Sequence, residues 1–257
     1  MIEDVSGFVI DMDGTVYIGG EVIPGATEFI GFLRSKGIPF VFLTNNSSRS
    51  RGYYLEKVRD MGLDASIENI LTSAVATERF LLDQRPGKRV YVLATPEVQD
   101  EMREAGIPLT EEDPDIVLLT FDRTITFDKI NKAYSFIMAG AELVATHPDD
   151  LCPTEGGYDV DIGAFICMFE YLTGRKATVV GKPNPLMLDM AAAEMGAERE
   201  STVMVGDRLY TDMRMAQDCG IRSILVLSGE TTEEDLRGSS MRPTYVVGSV
   251  GEIPGLL

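Results

Sequence analysis

The chain is short of positive charge, of cysteine and of histidine, and it has no long apolar run. Lys and Arg number 23 against 41 Asp and Glu, a formal net charge of −18 over 257 residues. That deficit argues against a protein that binds nucleic acid or an anionic membrane, because both need a basic face. The three cysteines, Cys152, Cys167 and Cys219, are widely spaced and form no CxxC or Cys/His pattern. A disulfide framework and a zinc site are therefore not expected. No apolar stretch approaches the ~20 residues of a membrane span. The opening MIEDVSGFVI has neither a basic start nor an apolar run of secretory length. The expectation is a soluble, reduced, cytoplasmic protein. Its acidity sets a problem if the substrate is an anion, since some local feature must then reverse the field.

What is present is a globular composition, 44% apolar and 25% charged, in a chain long enough for one or two domains. Short apolar runs recur at Phe8–Ile10, Phe40–Leu43, Val90–Leu93, Ile116–Leu119, Thr178–Val180, Val203–Val205 and Ile224–Leu227. Most are continuous rather than alternating, which suits strands buried on both faces. Helical stretches lie between them, one over 127–139 with Ile130, Ala133, Tyr134 and Ile137 on one face. Seven glycines stand where such helices should end: Gly37, Gly62, Gly106, Gly140, Gly174, Gly196 and Gly220. Strand–helix alternation of this kind predicts an α/β fold with largely parallel sheet. Ligands of such sheets bind beyond the carboxyl ends of the strands.

The residues just after the runs therefore carry the functional reading. They are DMDGT at Asp11–Thr15, Thr44-Asn45-Asn46-Ser47, GKPNP at Gly181–Pro185 and GDRLYTD at Gly206–Asp212. Asp11 and Asp13 are two apart on an extended segment, so their side chains are expected on one side. Two like charges that close need a cation or a proton. Carboxylate and carbonyl oxygens suit Mg²⁺, with Asp207 and the carbonyl of Asp13 completing a three-oxygen site around Asp11. Lys182 adds one positive charge, and Thr44 with the following N–H groups can hold anionic oxygens. Taken singly, each motif has an ordinary explanation as a loop, a helix start with Ser47 or Ser48 as its cap, or a surface lysine. Their joint placement at strand ends of one chain does not.

DMDGT, the strand-end Thr44, Lys182 in GKPNP and GDRLYTD resemble, in order, the four motifs of the haloacid dehalogenase superfamily. FLTNN, ATHPD at Ala145–Asp149 and TGRK at Thr173–Lys176 are similar to its NagD-like, p-nitrophenyl-phosphatase branch, which also includes phosphoglycolate and pyridoxal phosphatases. The resemblance implies a Rossmann-like parallel-sheet core with an inserted α/β cap. The core would span 1–80 and 177–257, and the cap 81–176. It implies a Mg²⁺-dependent phosphatase of small phosphorylated metabolites such as p-nitrophenyl phosphate, a sugar phosphate, a nucleotide or phosphoglycolate, with dimer contacts through the cap. Asp11 would be the nucleophile and Asp13 the general acid and base. Lys182 would steady the phosphoryl charge, and Thr44, Asn45 and Asn46 would hold the phosphate. Asp11, Asp13 and Asp207 would bind the metal, with Asp212 behind them.

His147, the only histidine, stands where branch members commonly have Asn, and Asp159–Gly163 replaces a Pro-Gly-x-Gly-like element. Both departures fall in the loop that resembles the substrate-selecting one, so His147 is a candidate substrate contact. Two other readings compete. A phosphoacceptor signalling module shares the strand-end Asp, Thr and Lys but is about half as long and lacks the fourth motif. An inactive relative would have lost catalytic positions, and here all are filled.

Overall fold

A computed structural model describes every residue except 1, 3 and 155. The chain runs through β1 (Gly7–Asp11), a small hairpin of β2 (Tyr17–Ile18) and β3 (Glu21–Val22), α1 (Ala26–Lys36), β4 (Phe40–Thr44), α2 (Arg51–Asp60) and β5 (Ile70–Thr72). Next come α3 (Ser73–Gln84), β6 (Val90–Leu93), α4 (Pro96–Glu104), β7 (Ile116–Leu119), α5 (Phe127–Ala139) and β8 (Glu142–Ala145). A hairpin of β9 (Leu151–Thr154) and β10 (Gly157–Val160) precedes α6 (Ile162–Thr173) and β11 (Thr178–Val179). The chain ends with α7 (Pro185–Met195), β12 (Thr202–Gly206), α8 (Arg214–Cys219), β13 (Arg222–Val226), α9 (Glu233–Gly238) and β14 (Tyr245–Val247).

Two compact units result. The first comprises 1–44, 51–71 and 182–257, and the second 45–50 and 72–181. In the first, six strands lie in the order β14-β13-β12-β1-β4-β5, with β1 parallel to both β4 and β12. The chain thus builds outward from β1 in one direction and later in the other. The carboxyl end of β1 is a topological switch point, where α/β sheets open a crevice. Every residue of β1, β4 and β12 is buried, which explains their unbroken apolar runs. Phe8 meets Phe29 of α1 edge to face at 5.6 Å in a core that also takes in Phe40, Phe42, Tyr54 and Ile253.

The second unit has its own sheet, β11-β8-β7-β6, parallel throughout. One of its faces carries a separate core that includes Leu93, Val117, Leu119, Ile137, Ile166 and Phe169. The helix expected at 127–139 is α5, capped by the Thr126 hydroxyl, which accepts from the Lys129 N–H. All seven helix-end glycines have positive φ, between 60° and 116°.

Several boundaries differ from the sequence reading. The second unit begins at 72 rather than 81, and it takes in the separate stretch 45–50. The run Thr178–Val180 belongs to this unit as well, because β11 pairs with β8. Lys182 therefore follows an edge strand of the second sheet, not a strand of the first. A short strand of mixed composition carries no periodicity that says which sheet it joins. The helix after Thr44 starts at Arg51, so Ser47 and Ser48 are not its caps.

Phe169 is fully buried in the second core. Truncating it removes a large apolar side chain and leaves a cavity. Phe169→Ala should destabilise the protein by about 3–5 kcal/mol in urea denaturation, and a loss below about 1 kcal/mol would show that this core is not what holds the unit together.

Candidate active site

Asp11 ends β1, Thr44 ends β4, and Asp207 follows β12, so three neighbouring strands deliver their last residues to one edge of the first sheet. All three are buried. Asp212 joins them from the π-type turn Leu209–Met213 after β12. Carboxylate oxygens of Asp11, Asp207 and Asp212 lie within 4.8 Å of one another. Lys182, itself buried, sends its ammonium into this group. It donates to Asp11 Oδ1, to Asp212 Oδ1 at 2.7 Å and to the Leu43 carbonyl at 3.3 Å.

The electrostatics follow from three carboxylates, one ammonium and little water. Burial pushes the Asp207 carboxyl well above its ordinary range, and Asp11 and Asp212 add to the rise. Burial likewise raises Asp212 to about 6, against the pull of Lys182. For Lys182, burial opposes the charge, but Asp11 and Asp212 outweigh it and hold the ammonium above the usual lysine range. Asp207 Oδ2 accepts the Glu230 N–H at 2.6 Å, whereas the buried Oδ1 has no hydrogen-bond partner. A buried carboxylate oxygen without a partner, beside two further carboxylates, fits a hard divalent cation. Both Asp212 oxygens are engaged, Oδ1 by Lys182 and Oδ2 by the Arg208 N–H at 3.2 Å. Asp11 and Asp207 are thus the carboxylates best placed to hold the ion, with Asp212 supporting Lys182.

The metal contact expected of Asp13 is its carbonyl, and its carboxylate lies outside the trio. After Met12 the chain turns, since the Met12 carbonyl accepts from the N–H groups of Thr15 and Val16. Asp13 Oδ2 accepts from the hydroxyl of the buried Tyr17 at 3.3 Å. Any metal contact of Asp13 must come from its backbone carbonyl. Burial raises the Asp13 carboxyl; Lys57 opposes this and Asp11 reinforces it. Lys57 sits 3.8 Å from the centroid of the Tyr17 ring. Neither Tyr17 nor Lys57 stands out in the sequence, because only the turn after Met12 brings Tyr17 back to Asp13.

Three glycines lie against two members of the trio. A Cβ on Gly14, where φ is +84°, or on Gly229 would overlap the Asp207 carboxylate, and one on Gly206 would overlap that of Asp212. Gly229 and the Glu230 N–H follow the apolar run at 224–227. The strand-end rule that singled out the other motifs, applied to that run, points to them.

The remaining candidates fall in the second unit. Asn45 Nδ2 donates to Asp149 Oδ2 at 2.9 Å, and the Asn45 carbonyl accepts from Ser73. Asn46 Oδ1 accepts from the N–H and hydroxyl of Ser48 at 3.0 and 2.7 Å. Both amide side chains thus shape the loop. His147 is fully buried. Its Nδ1 lies 3.0 Å from Thr146 Oγ1, and its Nε2 lies 3.0 Å from Asp161 Oδ1. With both ring nitrogens on protein partners, His147 is not the substrate contact the sequence suggested.

A haloacid dehalogenase-like hydrolase model matches residues 8–108, and a second model of HAD-like hydrolases matches 179–253. The chain belongs to the haloacid dehalogenase-like hydrolases, in their NagD-like phosphatase branch. An acid sugar phosphatase of Staphylococcus aureus is 34% identical over 245 residues, 95% of each chain. The solved 4-nitrophenylphosphatase of Thermotoga maritima is 39% identical with a TM-score of 0.95, covering 99% of this chain and 98% of that one. NagD of E. coli K-12 is 34% identical with a TM-score of 0.89, over 96% and 98% of the two chains. Among the described residues, no helix is long and apolar enough to cross a membrane.

Two outcomes test the site. A folded-state pKa raised above the unfolded value means that Asp212 costs stability once ionised. In cation-free protein this contribution is lost as pH rises from about 4 to about 6 and regained on acidification. A divalent cation favours the ionised form, so the rise in Tm with millimolar magnesium chloride should be larger at about pH 7.5 than at about pH 5. An equal rise at both would place the ion elsewhere. In Gly229→Ala, the added methyl must displace Asp207, so that rise should largely vanish at about pH 7.5 while far-ultraviolet circular dichroism stays native; an undiminished rise would remove Asp207 from the ion's ligands.

Proposed function

We propose that the chain hydrolyses small phosphate monoesters with Mg²⁺, through a phosphoryl group carried transiently on Asp11. One observation carries the reading. A buried aspartate at the carboxyl end of the central strand is held by Lys182 beside an Asp207 oxygen that lacks a partner. The names of its relatives support sugar phosphates and p-nitrophenyl phosphate as substrates.

In this reading Asp11, Asp207 and the Asp13 carbonyl would hold Mg²⁺, whose charge would let the carboxylates and a phosphate share one site. Lys182 restrains Asp11 and offsets its charge. A carboxylate oxygen of Asp11 attacks phosphorus in line with the leaving oxygen, forming an O–P bond as the ester P–O bond breaks. The Thr44 hydroxyl and the Asn45 N–H hold phosphoryl oxygens whose charge grows in the transition state. Asp13, whose burial favours the protonated form, gives its proton to the leaving oxygen. It then takes a proton from the water that attacks phosphorus, which restores Asp11 and releases phosphate. Tyr17 holds Asp13 by its hydroxyl throughout. We assign the choice among esters to the second unit.

Asp11→Asn keeps the shape and removes the nucleophile, so kcat for p-nitrophenyl phosphate should fall by at least about 10³-fold. A variant that keeps more than a few per cent of activity would assign the nucleophile elsewhere. Thorough chelation should abolish turnover and added Mg²⁺ should restore it; full activity in the chelated protein would remove the metal from the reaction.

A further inference from the structure

The second unit holds a buried line of polar groups that none of these roles uses. The Phe121 N–H donates to Ser47 Oγ at 2.9 Å. Ser47 Oγ lies 2.9 Å from Thr146 Oγ1, which lies 3.0 Å from His147 Nδ1. His147 Nε2 reaches Asp161 Oδ1 at 3.0 Å, and that oxygen also accepts the first N–H of α6, from Ile162, at 2.7 Å. Ser47, Thr146 and His147 are wholly inaccessible, and Asp161 nearly so.

The direction of the line follows from its two ends. A backbone N–H only donates, so Ser47 accepts there and turns its own hydrogen towards Thr146. Thr146 then donates to Nδ1. A carboxylate only accepts, so Nε2 carries the ring proton. Ser47, Thr146 and His147 each pass a hydrogen on along the line, and such a line is polarised end to end. Ser47 Oγ is also 3.5 Å from Nδ1, which keeps the hydroxyl pair close to the ring.

Ser47 lies three residues after Thr44, in the stretch 45–50 that packs entirely with the second unit. The Ser48 carbonyl of that stretch accepts from Thr95 Oγ1 at 3.0 Å, and Glu97 accepts from the Ser50 N–H, also at 3.0 Å. We propose that His147 is a positioning residue. Through Thr146 and Ser47 it fixes the backbone that follows Thr44, and with it the Asn45 N–H assigned to the phosphoryl group. The inference rests on the phosphatase reading. It gives the departure at His147 a role in holding phosphate without any contact to substrate.

The test uses two isosteres. In His147→Asn the amide ends where Nδ1 does, so its oxygen still accepts from Thr146, but it cannot reach Asp161. In His147→Gln the amide reaches the place of Nε2 and still donates to Asp161, but offers Thr146 no acceptor. The Gln variant should raise KM for p-nitrophenyl phosphate and the inhibition constant of inorganic phosphate by the same factor, about three- to tenfold, the worth of one net hydrogen bond. Its kcat/KM should fall equally for p-nitrophenyl phosphate and for an alkyl phosphate, because the grip is on the phosphoryl group. The Asn variant should stay close to wild type on all three measures. Thr146→Val interrupts the line but leaves His147 on Asp161. It should match the Gln variant, and it carries the test if a histidine variant does not fold. Loss in Asn with retention in Gln would make His147 only an anchor for the start of α6 and overturn the proposal. An unshifted phosphate inhibition constant in both the Gln and Thr146→Val proteins would do the same, whatever happens to Tm. A wild-type protein that neither hydrolyses p-nitrophenyl phosphate nor binds phosphate would overturn the phosphatase reading and this inference together.

Discussion

Lys182 places its ammonium between Asp11 and Asp212, inside a group of three buried carboxylates. One positive charge cannot balance three negative ones, and burial leaves water little part in screening the remainder. The upward shifts of Asp207 and Asp212 and the Asp207 oxygen without a partner are consequences of that imbalance. In the proposed reading, a divalent cation held there would bring three carboxylates and one ammonium to formal neutrality, so that a phosphate could enter so acidic a protein. Gly14, Gly206 and Gly229 leave no room for a Cβ beside the Asp207 and Asp212 carboxylates.

The path of the chain adds a second constraint. The first unit is left and re-entered at four points, and two of them fall on residues of the site: it is left after Thr44 and re-entered at Lys182. The residues next to these crossings are fixed by the second unit's own bonds. Asn45 is tied to Asp149 and Ser73, and the N–H of Gly181 donates to the Thr146 carbonyl at 2.7 Å. A Cβ on Gly181 would overlap that same carbonyl, so the approach to Lys182 admits no side chain there. The second unit's internal hydrogen bonds therefore fix the backbone immediately next to Thr44 and Lys182.

Much of this was legible in the sequence, for physical reasons. Strands buried on both faces read as continuous apolar runs, and the strand-end rule then located Asp11, Thr44 and Asp207. Helix ends were marked by glycines that accept positive φ. What local pattern does not record is tertiary pairing. Thr178–Val179 looks like any short strand, and only its pairing with β8 puts it in the second sheet. The turn closed by the Met12 carbonyl brings Tyr17 back to Asp13, a pairing that alternation along the strand does not record. His147 drew attention as the only histidine, yet its burial and its bond to Asp161, fourteen residues on, depend on the hairpin that lies between them. The resemblance to known phosphatases supplied the roles of the motifs, and the structure supplied the distances and burial that make those roles chemically reasonable.

The central claim is that Asp11 carries the phosphoryl group during turnover. It is tested most directly in Asp13→Asn. A nitrophenolate leaves without a proton donor, so the first step proceeds, while the second step lacks the base that activates water. Acid quenching of this variant with p-nitrophenyl phosphate and Mg²⁺, followed by mass spectrometry of its peptides, should find one added phosphoryl group, on the peptide that contains Asp11. A quenched protein without the adduct despite release of nitrophenolate, or with the adduct on any other residue, would contradict the account.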